Sequence, residues 1–274
     1  MSRSLRDKVV VITGAAHGIG AHVARDLVGA GARVALLDRD VPGAQRLAAE
    51  LGSAAAAFDA DVTSADSVHA ALAAAAEHFG SVDIVLANAG VAGPGSSVAA
   101  VDPDEWRKVI DVNLIGAFHT LHAALPHLKA SRGYAMVVAS IASVIPGPLV
   151  SAYVSSKAGV ESLVRAARIE AAGDGVGLGI AYFGLIDTGL ANEIVDRSGL
   201  GHILPGPFGA MAPVEVAAGA ITKGLAGRAR RVYAPWWVAP MLDLRPLLFL
   251  VDRLLAVLPS VRRAVRADQV KGVR

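Results

Sequence analysis

Short apolar runs alternate with longer stretches of helical spacing along most of the chain. Lys8 to Thr13 (KVVVIT) is almost wholly β-branched and offers no polar side to water, as in a strand buried on both faces of a sheet. Arg33 to Leu37, Ala54 to Phe58, Asp83 to Ala87, Tyr134 to Ala139 and Gly177 to Phe183 repeat that pattern. Between them the spacing predicts helices over Ile19 to Leu27, about Pro42 to Leu51, about Ser64 to Phe79, Pro103 to Ala130 and Tyr153 to Ala172. Asp102 is placed to cap the fourth of these, with Pro103 at its first helical position. Such alternation specifies an α/β fold: a doubly wound parallel sheet of about seven strands, helices on both faces, and ligands at the carboxyl ends of the strands.

No linker interrupts this run, so residues 1–234 read as one domain and 235–274 as a helical extension, apolar and then basic. The most apolar segment, Val232 to Leu258, is broken by Pro235, Pro240 and Pro246 and carries Asp243, Arg245, Asp252 and Arg253. Its longest clean helix, from about Pro246 to Leu258, would reach only about 20 Å, short of a roughly 30 Å hydrocarbon core. Met1 to Val11 lacks the apolar core of a signal peptide, so a cytoplasmic location is expected.

Composition then narrows the chemistry. The chain has 274 residues, 54% apolar, and no cysteine, which leaves no disulfide, no cysteine-ligated zinc and no thiol nucleophile. The net charge of +2 gives no bias toward nucleic acid. The charge is uneven, however: Arg262, Arg263, Arg266, Lys271 and Arg274 face Asp268 alone in the last fifteen residues. The histidines show no metal-ligand spacing, His119 and His122 lacking a carboxylate to complete a site, so no metal is expected.

Directly after the first strand comes Thr13-Gly14-Ala15-Ala16-His17-Gly18-Ile19-Gly20. Glycines there let the backbone turn tightly against a pyrophosphate, whose charge sits on the N-terminus of the next helix. Asp38 ends the second strand, where a carboxylate accepts from both ribose hydroxyls of an adenosine and repels a 2′-phosphate. NAD is therefore favoured, while the neighbouring Arg39 leaves NADP open. An ordinary strand-to-helix turn is the plainer reading of the glycines alone.

The Thr-Gly-x-x-x-Gly-x-Gly spacing resembles the short-chain dehydrogenase/reductase superfamily, in its shorter single-domain branch with a Rossmann-like catalytic domain. Other matches follow in order over roughly residues 6 to 234. Asp61-Val62 resembles the pair that contacts adenine, and Asn88-Ala89-Gly90 the Asn-Asn-Ala-Gly motif with Ala87 in place of its first Asn. Asn113, Ser140 and the Tyr-x-x-x-Lys pair Tyr153 and Lys157 complete a tetrad. Gly184, Ile186 and Thr188 match the element after the sixth strand, with Phe183 replacing its proline. The resemblance implies that Tyr153 is the acid/base, Lys157 lowers its pKa and orients the cofactor, and Ser140 binds the substrate oxygen. Asn113 would hold a water continuing the proton path. It implies a homodimer or homotetramer through the two long helices.

The chemistry agrees: as hydride leaves an alcohol carbon the hydroxyl proton must leave too, and a free tyrosine with a pKa near 10 needs help to accept it. Each residue alone has a plainer reading, Ser140 as a turn residue, Asn113 as a buried helix amide and Tyr-x-x-x-Lys as chance. The expected function is an NAD(P)-dependent interconversion of a secondary alcohol and a ketone. The alternative is a non-catalytic dinucleotide sensor or scaffold with the same fold. Residues 189–212 resemble a lid, and Ile145, Pro146, Leu149, Val150, Phe183, Leu185 and Leu190, with Ile203, Leu204 and Phe208, could line an apolar pocket beside Ser140 and Tyr153. That points to a hydrophobic alcohol or ketone: steroid-, terpenoid- or acyl-like. Trp236, Trp237 and the basic end fit either a peripheral membrane contact or docking onto protein, over the cleft or a partner subunit.

Overall fold

A computed structural model describes residues 4–198, 209–245 and 255–272. The strands are β1 (Val9–Thr13), β2 (Arg33–Asp38), β3 (Ala55–Asp59), β4 (Ile84–Ala87), β5 (Tyr134–Val138), β6 (Gly177–Phe183) and β7 (Arg231–Ala234). They form a seven-stranded sheet in the order β3-β2-β1-β4-β5-β6-β7, every neighbouring pair parallel. The direction of winding reverses between β1 and β4, where Val10 pairs with Ile84 and Thr13 with Ala87. A crevice opens at the carboxyl ends of the strands at such a point.

The period of two along each strand divides the core. Val9, Val11, Ala35, Leu37, Val85 and Val137 face one side, and Val10, Ile12, Val34, Leu36, Leu86 and Met136 the other. The first face is covered by α3 (Ala65–Phe79), α5 (Gly116–Ser131) and α6 (Ser151–Glu170). The second is covered by α1 (Gly18–Gly29), α2 (Val41–Leu51) and α8 (Val214–Gly227), with α7 (Gly189–Ser198) preceding α8 in the chain. Valine-rich strands without polar positions are the direct consequence.

The helix expected over Pro103 to Ala130 is one rod in three parts. It runs from α4 (Pro103–Ile110) through a π turn at Asp111–Ile115 into α5. Asp102 caps it as expected, its carboxylate accepting from the Asp104 N–H at 2.7 Å. Beyond β7, α9 (Val238–Asp243) brings Trp237, Val238 and Leu242 into the first core, while Trp236 is 79% exposed. A last helix, α10 (Pro259–Gly272), follows. Most of the helix expected from about 246 to 258, and the pocket candidates Ile203, Leu204 and Phe208, lie outside the described residues. Among those described, no helix is long and apolar enough to cross a membrane.

Candidate active site

Thr13 ends β1 fully buried, and its hydroxyl accepts from the backbone N–H of Asn88 at 3.1 Å and of Ala89 at 3.3 Å. The Asn88 amide in turn donates to the carbonyls of Thr13 at 3.1 Å and Gly14 at 2.9 Å. These four bonds lock the ends of β1 and β4 together at the reversal of the sheet. Gly14 holds φ at +65°, and a Cβ there would lie 2.8 Å from the Ala89 Cα. A Cβ on Gly20 would run into the Gly14 carbonyl. Side chains are excluded, and the backbone is left open to a close-fitting ligand. His17, at the N-cap of α1, makes no side-chain capping bond, so first-turn amides remain free to receive an anion.

Asp38 is fixed by two backbone donors, Ala16 N–H on Oδ2 and Asp40 N–H on Oδ1, both at 2.9 Å. Each oxygen keeps a lone pair for a further donor, as recognition of two vicinal hydroxyls needs. Asp61 accepts from the Thr63 N–H at 2.9 Å and its hydroxyl at 2.8 Å. Those bonds, with the charge of Arg39, hold its carboxyl below the usual range. A glycine cradle, an uncapped helix and an anchored carboxylate fit a dinucleotide, with Asp38 and Arg39 side by side on the wall.

Ser140 closes β5, its hydroxyl donating to the Phe183 carbonyl at 3.2 Å and accepting from the Ala142 N–H at 3.1 Å. Tyr153 and Lys157 lie one turn apart on α6. Burial pushes the Tyr153 phenol up, and a hydrogen bond with Ser140 pulls against it. Lys157 is 4% exposed; desolvation brings its ammonium down to about 8. Its Nζ donates to the Val138 carbonyl at 2.9 Å and stands 5.7 Å from the centre of the Tyr153 ring.

Asn113 sits in the π turn, buried, with both ends of its amide engaged. Its Oδ1 accepts from the Val91 N–H at 2.8 Å, and its Nδ2 donates to the Val91 carbonyl at 3.0 Å and the Ser156 hydroxyl at 3.1 Å. Ser156 donates to the Tyr153 carbonyl at 2.7 Å. Asn113 thus ties the loop following β4 to the turn of α6 that carries Tyr153 and Lys157. Ser143, also on the inner side of α6, donates to the Lys157 carbonyl at 2.9 Å.

One cavity of about 960 Å³ runs past all of this, lined by Gly14, His17, Gly18, Ile19, Asp38, Arg39, Asp61, Val62, Asn88, Ala89 and Gly90 at one end. At the other stand Ser140, Ile145, Tyr153, Lys157, Phe183, Gly184, Ile186, Thr188 and Leu190. Gly20 and Asn113 stand behind its wall, absent from its lining. Leu149 does not line it either: at φ +65° the chain turns there and Leu149 borders a separate small void, whereas its neighbour Val150, also expected there, does line the wall. Residues not anticipated in the site are Thr13 and Ser156, which brace it, and Trp237, Met241 and Leu255, which line it. Thr13 opens the glycine motif and so was within reach of the sequence. Nothing in the sequence links Trp237 to Gly184, yet a Cβ on Gly184 would lie 2.7 Å from the indole. On the long helix, His122 pairs with His69 at 3.0 Å and His119 bonds the Val62 carbonyl at 2.9 Å. Among the described residues no three His, Cys, Asp or Glu side chains are grouped to hold a metal.

The short chain dehydrogenase family model matches residues 8–199. Cyclohexanol dehydrogenase of Acinetobacter sp. (strain SE19) is 36% identical over 197 residues, 70% of this chain and 78% of that protein. L-fucose dehydrogenase of Mus musculus is 32% identical over 221 residues, 78% of this chain and 81% of that one. Among solved structures, 3-ketoacyl-(acyl-carrier-protein) reductase from Brucella melitensis complexed with NADH superposes with a TM-score of 0.75 at 29% identity. It covers 84% of this chain and 98% of that one.

Proposed function

We propose a function from one established premise: this chain belongs to the short-chain dehydrogenase family. It is an oxidoreductase acting on CH–OH groups. The finer reading is interconversion of a hydrophobic secondary alcohol and its ketone with NAD, and Tyr153 as acid/base. The observation that carries it is the convergence of Ser140, Tyr153 and Lys157 on the wall of one cavity that also holds the glycine turn and Asp38.

Gly14, Gly18, Ile19, Asp38, Asp61, Val62 and Ala89 would hold the dinucleotide along one end, and Lys157, Ile186 and Thr188 would hold its nicotinamide half. When bound, the nicotinamide supplies the hydride acceptor or donor for the carbinol carbon. Everything else is done by the chain. Ser140 donates a hydrogen bond to the substrate oxygen, fixing that atom beside the Tyr153 hydroxyl. Tyr153 takes the alcohol proton in oxidation and returns it to the ketone oxygen in reduction. Burial keeps the phenol protonated at neutral pH, the form needed for reduction.

Lys157 works against that burial. With the 5.7 Å from Nζ to the ring centre taken as the separation, an ammonium favours the phenolate by about 3 kcal/mol at an effective dielectric of about 20. Asn113, Ser143 and Ser156 keep α6 in place. The apolar wall of Ile145, Pro146, Val150, Leu190 and Ile194 supports a hydrophobic substrate, as does the relative that acts on cyclohexanol. The NADH complex of the reductase and the anchored Asp38 support NAD over NADP. Exposed Ile115 and Phe118 on the long helix support a homo-oligomer. A panel of cyclic and acyclic secondary alcohols, followed by nicotinamide absorbance with NAD and with NADP, tests the reading. Turnover with NAD on the more apolar alcohols is expected; no nicotinamide-linked turnover on any would refute it.

A further inference from the structure

The family model ends at residue 199 and leaves the last forty residues outside its match. The described ones return to the domain at several points. Trp237 is 6% exposed and forms part of the first core, and with Met241, one turn on, it lines the cavity. Leu255 lines the same cavity from further along the chain.

Two anchors hold this segment at separate places. Glu161 on α6, one turn beyond Lys157, keeps its carboxylate 6% exposed. Arg245 reaches it with Nη1 at 2.7 Å and Nη2 at 3.4 Å, and Arg165 adds a contact at 3.4 Å. A buried carboxylate needs such a partner, because losing it leaves an uncompensated charge. The second anchor is Asp268 on α10. Its Oδ2 accepts from the Ser97 N–H at 2.7 Å, and the Ser96 hydroxyl meets both carboxylate oxygens at 3.2 Å. Ser96 forms a bridge with Val150, a cavity residue, and Gly93 in the same loop accepts from Arg197 of α7 at 3.0 Å. The tail therefore grips the helix bearing Tyr153 and Lys157 at one point and the loop behind the cavity at another.

We propose that residues 235–245 and 255–272, beyond β7, form a wall of the substrate site, on which Trp237, Met241 and Leu255 select the bulky end of the carbinol. Arg245 on Glu161, and Asp268 on Ser96 and Ser97, are its positioning residues. The inference rests on the reading of the cavity as the site of alcohol oxidation. It names the class of group selected: an apolar ring or branched substituent remote from the carbinol, packed against an indole, a thioether and a leucine.

The test compares wild type with Leu255→Ala, Asp268→Ala and Asp268→Asn, each checked by thermal melting. Two readouts are taken: the ratio of kcat/KM for 4-phenylcyclohexanol to that for 2-propanol, and calorimetric binding of 4-phenylcyclohexanone. Leu255→Ala lowers the ratio about tenfold, chiefly through KM, and weakens ketone binding by a similar factor. Asp268→Ala does the same, and Asp268→Asn, which keeps an acceptor for the Ser97 N–H, recovers part of the loss. Variants that melt as wild type does yet keep its ratio and its ketone affinity overturn the proposal, as does a wild type that does not bind the ketone. Weakened ketone binding without nicotinamide-linked turnover in wild type refutes the alcohol-oxidation reading and leaves the wall standing.

Discussion

Replacing Lys157 with methionine should make the protein more stable and far less active. The side chain is 4% exposed, and its ammonium falls from 10.5 to about 8 because burial penalises the charged form. Each unit corresponds to about 1.4 kcal/mol, so holding the charge at pH 7 costs the folded state about 3 kcal/mol. The folded pKa lies below the unfolded one, so between about pH 8 and 10.5 the unfolded chain binds more protons and wild-type stability rises with pH. Below pH 8 the cost is present in full. Methionine removes it and forfeits the bond to the Val138 carbonyl, about 1 kcal/mol. The net gain at pH 7 is about 2 kcal/mol, or roughly 4–8 °C in Tm for a chain of this size. The same substitution removes the support for the phenolate, about 3 kcal/mol and so roughly a hundredfold in turnover. Urea titrations at pH 7 and pH 10 read the stability, and nicotinamide absorbance the activity. A variant less stable than wild type at pH 7, or wild-type stability flat above pH 8, would refute the reasoning.

Alcohol oxidation should accelerate as pH rises into the alkaline range and ketone reduction should slow, because burial raises the Tyr153 phenol and oxidation needs its deprotonated form. Profiles of kcat/KM in both directions check this; two profiles of the same sign would contradict it. Gly14→Ala places a Cβ 2.8 Å from the Ala89 Cα at φ +65°, and should destabilise the fold by about 1–3 kcal/mol and abolish NADH binding. Thermal melts and NADH fluorescence read the two effects. Asp38→Asn removes the charge that repels a 2′-phosphate while Arg39 remains to pair with one, so the NADP-to-NAD ratio of kcat/KM should rise about tenfold or more. An unchanged ratio would show that Asp38 does not choose the cofactor.

The sheet was legible because its physics is local. A strand covered on both faces has no polar position, and the valines of Val9 to Val11 announce that without reference to the rest of the chain. The placing of Tyr153 and Lys157 on one helix was legible by spacing, since a turn separates them whatever surrounds them. Less could be read where the partner lies far along the chain. Nothing near Asn113 reveals that its amide braces Val91 and Ser156, or that a π turn carries it. The absence of Leu149 from the cavity wall follows from a left-handed residue that no glycine marks. Trp236 and Trp237 are neighbours in sequence, yet one is exposed and the other packs on Gly184. Which tryptophan turns inward depends on how α9 meets β7 and the turn after β5.

The central claim is that Tyr153 moves the proton while the chain holds a nicotinamide dinucleotide. Tyr153→Phe keeps the ring and its packing and removes the hydroxyl alone. NADH binding, read by its fluorescence, should stay within about threefold of wild type, and turnover of a secondary alcohol should fall by about 10²–10⁴. A variant that binds NADH and turns the alcohol over within about tenfold of wild type would contradict the account.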